Sequence, residues 1–532
     1  MRIYDIARPD DRTIPAALDF QARESAVSVW LWTDARKVTF AQAAEATRRY
    51  AAGLHALGLK KGDTIVMDMN PSIDVVLVAV GAARLGVIFT TINTDYHGAF
   101  LREAIDQSKA RILIIDHDLA PRLEGLDLAH IDHIYAAGAP GENGRIKPLE
   151  ALLGDAKACP HVDVGWLDPV QVWWSSGTTG KSKGVMHSHS SIMLLARRGL
   201  DRKLKAGDVY YACTPMYLGS PWTGTIWPSL IGGVTGAIDP RFSVSQFWDR
   251  IKFYGAKHFF TLGAMHMHLW KQPPKPDDHL SGVRCGQAIP MSWDLIPEFK
   301  KRFGIETMNQ AYGTSESFMV FEARDNEGHD WRGAAMGKPL PHLDVALLDE
   351  FDREVPMGEA GEICVRPKEP GVMFLGYFND PALTVQTWRN LWHHTGDMAM
   401  RDEAGVYYFA DRKKDYIRYN GRNISMFEVE AVVDNHPDLA DVAAYGVTAE
   451  ELESEAELTL AVVRKPGRAV TPEAIAVFIN DNAPYYFVPR YIQFVEELPR
   501  NAHGRIMKHI LRDRGLPSDA WDRKKAGFTP RR

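Results

Sequence analysis

Apolar and polar positions along the chain fall into two alternating rhythms. Over 39–57, Ala and Leu recur on one face of a helix that Thr39 opens. Past Gly58 and Gly62, the apolar run 64–69 predicts a strand. A helix over 73–85, a strand over 87–92, a helix over 97–107 and a strand over 111–116 follow. This repetition predicts an α/β architecture around a parallel sheet. Residues 137–168, richer in Gly, Pro and charge, read as an irregular connection. The rhythm then resumes with helix 190–200, strand 208–213, helix 222–231, strand 234–238, helix 243–254 and strand 258–261. Two successive halves of like rhythm suggest a pseudo-repeated large domain, although no sequence repeat accompanies it.

From 337 onward short apolar runs (345–348, 362–365 and 405–409) alternate with turns, and Gly361, Gly371 and Gly376 punctuate them, which predicts a β subdomain. The chain turns highly charged at 411–415. A smaller α+β pattern follows: helix 427–434, strands 441–445 and 459–463, helix 472–482, strand 491–495 and a basic helix over 505–514. The expected organisation is a large domain over 1–410, a hinge at 411–414, a small mobile C-terminal domain over 415–515 and a frayed, solvated tail over 516–532.

Composition narrows the class. A chain of 532 residues exceeds one ordinary core, and 45% hydrophobic with 24% charged residues suits a globular protein. A net charge of −6 gives no support for a nucleic-acid partner. Cys159, Cys213, Cys285 and Cys364 are far apart and form no C-x-x-C pair, as in a reduced, cytoplasmic protein. The N-terminus is too charged for a signal peptide. The longest apolar stretch, 75–91, is broken by Gly81, Arg84 and Gly86, so no transmembrane helix is expected.

The chemistry concentrates in 172–189, Val-Trp-Trp-Ser-Ser-Gly-Thr-Thr-Gly-Lys-Ser-Lys-Gly-Val-Met-His-Ser-His. A loop of Ser, Thr, Gly and Lys, free of carboxylates, lets backbone N–H groups, hydroxyls and two ammonium groups converge on one anion. Gly177, Gly180 and Gly184 permit positive φ and close backbone approach. A flexible surface linker is the alternative. The Trp173-Trp174 strand before the loop and the apolar helix after it argue for a polyphosphate cradle. The spacing is not that of a Walker A loop.

The stretch resembles the Ser-Gly-Thr-Thr-Gly-x-x-Lys-Gly signature of the adenylate-forming (acyl-CoA synthetase, AMP-binding) superfamily, and further elements of that resemblance recur along the chain. By it, Ser176, Gly177, Thr178, Thr179, Gly180, Lys181, Lys183 and Gly184 would hold the phosphates of ATP, with Thr178 also at the metal. Residues 309–316, Asn-Gln-Ala-Tyr-Gly-Thr-Ser-Glu, are similar to the family's Tyr-Gly-x-Thr-Glu element. Tyr312 would stack on adenine beside Gly313, Thr314 would bond the α-phosphate, and Glu316 would hold Mg²⁺. Gly286-Gln287-Ala288 resembles the segment lining the adenine pocket, with Gln287 in place of a small residue; a plain strand-to-helix turn ending at Pro290 is the alternative. In Thr395-Gly396-Asp397, Asp397 would accept the ribose hydroxyls. Arg412 would reach the ribose or a phosphate, Lys414 falls at the hinge, and Gly421 belongs to a loop that meets the pantetheine arm of CoA. A metal reading of His393-His394 is set aside, since neighbouring strand residues point to opposite faces and no third ligand is spaced nearby.

Near the C-terminus, Leu498-Pro499-Arg500-Asn501-Ala502-His503-Gly504-Arg505 is similar to the element that carries the family's adenylation lysine, and here that residue is Arg505. Guanidinium keeps the charge without matching the geometry of an ammonium; Lys508 is the other cation within reach in sequence. The implied activity is an ATP- and Mg²⁺-dependent acid–thiol ligase that activates a small or medium carboxylic acid as an acyl-adenylate and passes it to CoA. Its catalytic groups would be Arg505, Lys183, Glu316 and Thr178. A non-CoA acceptor, or a nucleotide-binding relative impaired by Arg505, are the alternatives. Tyr217, Trp222 and His189 would border the acyl pocket, where Tyr217, Trp222 and Trp227 either box a quaternary ammonium or simply pack. The C-terminal third, through 487–491 and 498–501, most resembles crotonobetaine/carnitine–CoA ligase-like members. A homodimer is compatible with this reading.

Overall fold

The computed structural model describes residues 2–138, 144–175, 182–200, 203–326, 328, 331–412, 416–419, 422–448, 456–499, 506 and 508–531. Helix Phe40–Ala56 starts where the sequence places it because Thr39 and Gln42 form a capping box: the Gln42 N–H donates to Thr39 Oγ1 at 3.2 Å, and the Thr39 N–H to Gln42 Oε1 at 2.9 Å. Helix Ile73–Arg84, capped by Ser72, is buried almost all round. It approaches Phe40–Ala56 so closely that a Cβ on Gly81 would sit 2.6 Å from Tyr50 Cβ.

Among the described residues two large sheets form. The eight-stranded sheet runs in the order Gly376–Tyr377, Lys183–Ser188, Pro169–Ser175, Ile88–Thr91, Thr64–Asp68, Ile112–Asp116, His133–Ala137, Ile146–Pro148. It is parallel from Pro169–Ser175 onward. The second sheet has a parallel centre that includes Val209–Ala212, His258–Leu262, Cys285–Ile289 and Thr307–Thr314. Antiparallel strands extend it through Phe318–Arg324, Ala335–Pro339, Tyr407–Arg412, Trp392–Arg401, Gly361–Pro367 and Leu343–Leu348. The β texture after 337 is thus the continuation of the second sheet and not a sheet of its own. One apolar cluster, with Phe40, Ile65, Phe89, Trp173, Trp222, Trp227 and Phe318, unites the elements of both halves.

Three local expectations change. The connection over 137–168 contains the edge strand Ile146–Pro148 and two short helical turns. A strand, Lys183–Ser188, stands between the phosphate loop and helix His189–Arg198. The tail is not frayed: Trp521–Asp522 pairs with Tyr491–Phe494, the Trp521 indole donates to Glu473 at 2.6 Å, and buried Arg490 meets Asp522 at 2.8 Å.

The C-terminal unit opens with the hairpin Tyr416–Tyr419/Arg422–Ser425 and packs helices Met426–Val433 and Pro472–Asn482 with a four-stranded sheet. It touches the first sheet's flank, where Asn93 Nδ2 donates to the Tyr486 hydroxyl at 2.6 Å and Phe100 meets Phe487 edge-on at 5.7 Å. Among the described residues no helix is long and apolar enough to cross a membrane.

Candidate active site

The phosphate-type loop is the connection of an antiparallel hairpin. Pro169–Ser175 pairs with Lys183–Ser188, ending with Ser175 opposite Lys183. A strand on each side fixes where the loop starts and stops, which a free linker lacks. Ser176, Gly177, Thr178, Thr179, Gly180 and Lys181 lie outside the described residues. Gly184 is a packing position, since a Cβ there would meet Phe378, Trp174 and Val172 at 3.0 Å.

A second hairpin presents Glu316 beside this one. Thr307–Thr314 turns into Phe318–Arg324, and Phe318 at the exit has φ of 55°. An aromatic residue in the left-handed region is strained and persists only where its surroundings hold it. Here the Phe318 ring stacks on His187 at 4.3 Å and meets Trp173 edge-on at 5.2 Å, both on the phosphate hairpin. The two turns are therefore locked together. Within the turn, Thr314 and Ser317 bond through their hydroxyls at 2.9 Å. Glu316 Oε1 accepts the Tyr377 hydroxyl at 2.7 Å, and its backbone carbonyl accepts the Phe374 N–H at 2.9 Å. Lys183 Nζ stands 5.4 Å from the Tyr377 ring centre. The second Glu316 oxygen makes no protein hydrogen bond among the described residues, and a carboxylate oxygen beside a hydroxyl is what a hard divalent cation takes.

His393 lies against this group. Burial, with Glu316 opposing it, lowers its pKa to about 4, so the ring is neutral. His187 and His189 are likewise held neutral by burial, each at about 3.

The hydroxyl of Tyr312 donates to Asp397 Oδ2 at 2.7 Å, joining residues 85 apart in the chain. The turn bearing Asp397 is fixed from the neighbouring strand: the Gly396 N–H donates to Glu362 Oε1 at 3.0 Å and the Thr395 hydroxyl to the Ile363 carbonyl at 2.8 Å. Arg412 stands opposite Asp397 in the strand register. Across the same strands His394 Nδ1 lies 3.1 Å from Glu362 and 3.3 Å from Cys364 Sγ. Partners for His394 thus come from the adjacent strand, where sequence spacing along its own strand could not reveal them. Tyr377, Glu362 and Phe318 are residues that the sequence did not single out; Tyr377 and Glu362 had only the signal of the neighbouring Gly376 and Gly361, and Phe318 had none.

Several expected site residues occupy packing positions. A Cβ on Gly286 would meet Met308 Sδ at 2.6 Å and Phe259 at 2.7 Å, so its small size serves core packing. Ala288 is fully buried, its carbonyl accepting from Gln310 at 2.6 Å. A Cβ on Gly313 would strike the Phe318 carbonyl, so that glycine serves the hairpin bulge. Trp222 is fully buried, its indole donating to the Met216 carbonyl at 2.7 Å and its ring stacked on buried Trp227 at 5.3 Å. His189 is fully buried, with Nδ1 accepting the Ile14 N–H at 3.3 Å. Neither Trp222 nor His189 presents surface to a cavity, and the aromatic box does not form; Tyr217 is half-buried. Gln287, in contrast, lines a cavity of about 130 Å³ with Gly224, Asn309 and Arg198.

Lys414, Gly421 and Arg505 lie outside the described residues. Lys508 is held within the C-terminal unit, 2.7 Å from Glu430.

The AMP-binding enzyme family matches residues 17–378 and the AMP-binding enzyme C-terminal domain matches 428–505; the chain belongs to this adenylate-forming family. It is 26% identical over 490 residues to a crotonobetaine/carnitine–CoA ligase of Proteus mirabilis, spanning 90% of this chain and 93% of that one. Its fold is similar to that of the amide bond synthetase McbA from Marinactinospora thermotolerans, with a TM-score of 0.83, 22% identity, and coverage of 94% and 100%. It is also similar to a double mutant of o-succinylbenzoate CoA synthetase (MenE) from Bacillus subtilis, with a TM-score of 0.78, 22% identity, and coverage of 95% and 98%.

Proposed function

We propose that the protein is an AMP-forming acyl-CoA ligase. A carboxylate oxygen of the acid attacks the α-phosphorus of ATP, pyrophosphate leaves, and the acyl-adenylate forms. The CoA sulfur then attacks the acyl carbon, AMP leaves, and the thiol proton passes to solvent. The observation that carries this reading is the convergence of Glu316, Tyr377 and Lys183 at the mouth of the glycine-rich hairpin. Mg²⁺, when bound, offsets the charge of the triphosphate.

In this reading Glu316, with Thr178 of the loop, holds the metal, and Tyr377 fixes the carboxylate's orientation. Lys183 and the loop residues Ser176, Gly177, Thr179, Gly180 and Lys181 receive the phosphates, and Thr314 bonds the α-phosphate. Tyr312 stacks on the base, and Asp397, oriented by the Tyr312 hydroxyl, accepts the ribose hydroxyls with Arg412 nearby. Arg505 brings the last positive charge from the C-terminal unit. Lys508, committed to Glu430, is a structural residue of that unit. The unit pivots near 411–414, so that the Gly421 loop faces CoA in the second half-reaction. The four cysteines are free thiols, in keeping with a reducing, cytoplasmic setting.

Pyrophosphate release with a panel of carboxylic acids, with and without CoA, tests the reading. CoA-thioester formation coupled to AMP is the expected result. Release without a thioester would assign another acceptor, such as an amine. ATP binding without release for any acid would defeat the ligase reading.

A further inference from the structure

The cavity of about 130 Å³ sits at the end of the central strands away from the nucleotide residues. Its lining includes Arg284 and Thr307, where two parallel strands begin, whereas Thr314 lies where the second one ends. Gln287 and Asn309, paired in register, lead from one end toward the other. Asn309 and Thr314 are separated by five residues, about 16 Å at ~3.3 Å per residue. A void of this size accepts a group comparable to a benzene ring.

The lining is cationic. Arg198, Lys203, Arg284 and Arg324 face it, and among the described residues it contains no aspartate or glutamate. Two of these charges are compensated from behind. Arg284 pairs with buried Asp208, and Arg324 with Glu322 at 2.6 Å. Arg198 differs: its hydrogen-bond partner is His342 Nδ1. Burial, then the charges of Arg198 and Lys368, lower the His342 pKa to about 4, so the imidazole is neutral, and the carboxylate that acts on Arg198, Glu322, is shared with Arg324. Asn309 and Asn326 add amide donors. Tyr210 and Phe259 also line the cavity, but its four cations oppose a quaternary ammonium, and the indoles expected to box one, Trp222 and Trp227, are buried in the core.

We infer that the acid activated by this protein carries a second oxyanion at its far end, and that Arg198, supported by Asn309 and Arg324, receives it. This rests on the ligase reading, and deepens it to a substrate class: long α,ω-dicarboxylic acids, or ring acids with a distal carboxylate or sulfonate.

The test is pyrophosphate release by the full chain with ATP and Mg²⁺, using dicarboxylic acids, ω-sulfonated acids, monocarboxylic acids and ω-trimethylammonium acids of matched lengths. The expected result is a kcat/KM for the dianionic acids about tenfold or more above that for the matched monoacid. Arg198→Gln should shrink that ratio about tenfold, chiefly through KM. Arg198→Glu should move preference toward the trimethylammonium acid. Comparison of carboxylate with sulfonate termini tells which oxyanion is meant. Equal use of mono- and dianionic acids, preference for the ammonium acid, or a ratio unmoved in a folded Arg198→Gln variant overturns the inference while leaving the ligase reading intact. If no acid releases pyrophosphate, the ligase reading fails, and calorimetry decides the site alone. Dicarboxylate binding that weakens in Arg198→Gln supports it; absent or unchanged binding overturns it.

Discussion

The two ends of the central strands are built differently. At the C-terminal end, Phe318, His187 and Trp173 clamp two turns together, and nearly every polar side chain has a protein partner that fixes its direction: Tyr377 for Glu316, Tyr312 for Asp397, Ser317 for Thr314. At the N-terminal end a cavity remains, and Arg284 and Arg324 beside it are paired with Asp208 and Glu322. The first end is organised for one invariant ligand. The second leaves space and a positive field, which suits the distal oxyanion inferred above. Preorganisation and selectivity are thus physically separated along the same strands.

The largest expected effect belongs to the first end. Glu316→Gln should reduce pyrophosphate release by about 10²–10³ for every acid alike, as loss of a group that organises developing charge does. A loss that depends on the acid would break the separation. Next, Phe318→Ala should lower unfolding free energy by about 3 kcal/mol in denaturant titration, because it removes a buried ring from the clamp. A cost near zero would show that the turns are not interlocked. Tyr377→Phe removes one hydrogen bond to a carboxylate, worth about 2 kcal/mol, and should raise the Mg²⁺ concentration for half-maximal rate more than tenfold with ATP affinity in the absence of metal preserved.

The smallest effect concerns the C-terminal unit where it meets the first end. Burial, then the nearby Glu103 carboxylate, raises the Glu428 pKa from 4.5 to about 8. A raised carboxyl favours its neutral form in the folded protein. Its contribution to stability is full below pH 4.5 and is lost as pH rises through about 8. Glu428→Gln should flatten the decline of stability between pH 4.5 and about 8, measured by urea denaturation. An unchanged slope would mean that the carboxyl is hydrated.

What the sequence disclosed follows from how local each signal is. Thr39, at the head of an apolar period, announces a helix start. Tyr312, Glu316 and Asp397 were singled out because each lies in a short stretch that resembles a family element. The bond between Tyr312 and Asp397 was not, since sheet topology creates it across 85 positions. Strand Lys183–Ser188 was hidden because its polar residues prolong the loop's texture. Trp222 and Trp227 left two readings open for a general reason: composition gives an aromatic ring no direction, and the structure turns both into the core. The cavity was unreadable because it gathers side chains from the starts of several strands and from the end of helix His189–Arg198. The left-handed backbone of Phe318 had no residue-type cue at all.

Strand Trp521–Asp522 covers the outer edge of Tyr491–Phe494. Removing residues beyond 515 would bare that edge, break the buried Arg490–Asp522 pair and expose hydrogen-bonding groups ready to recruit a strand from another molecule. The expected fate of such a truncation is self-association, so the last short strand acts as a guard against aggregation.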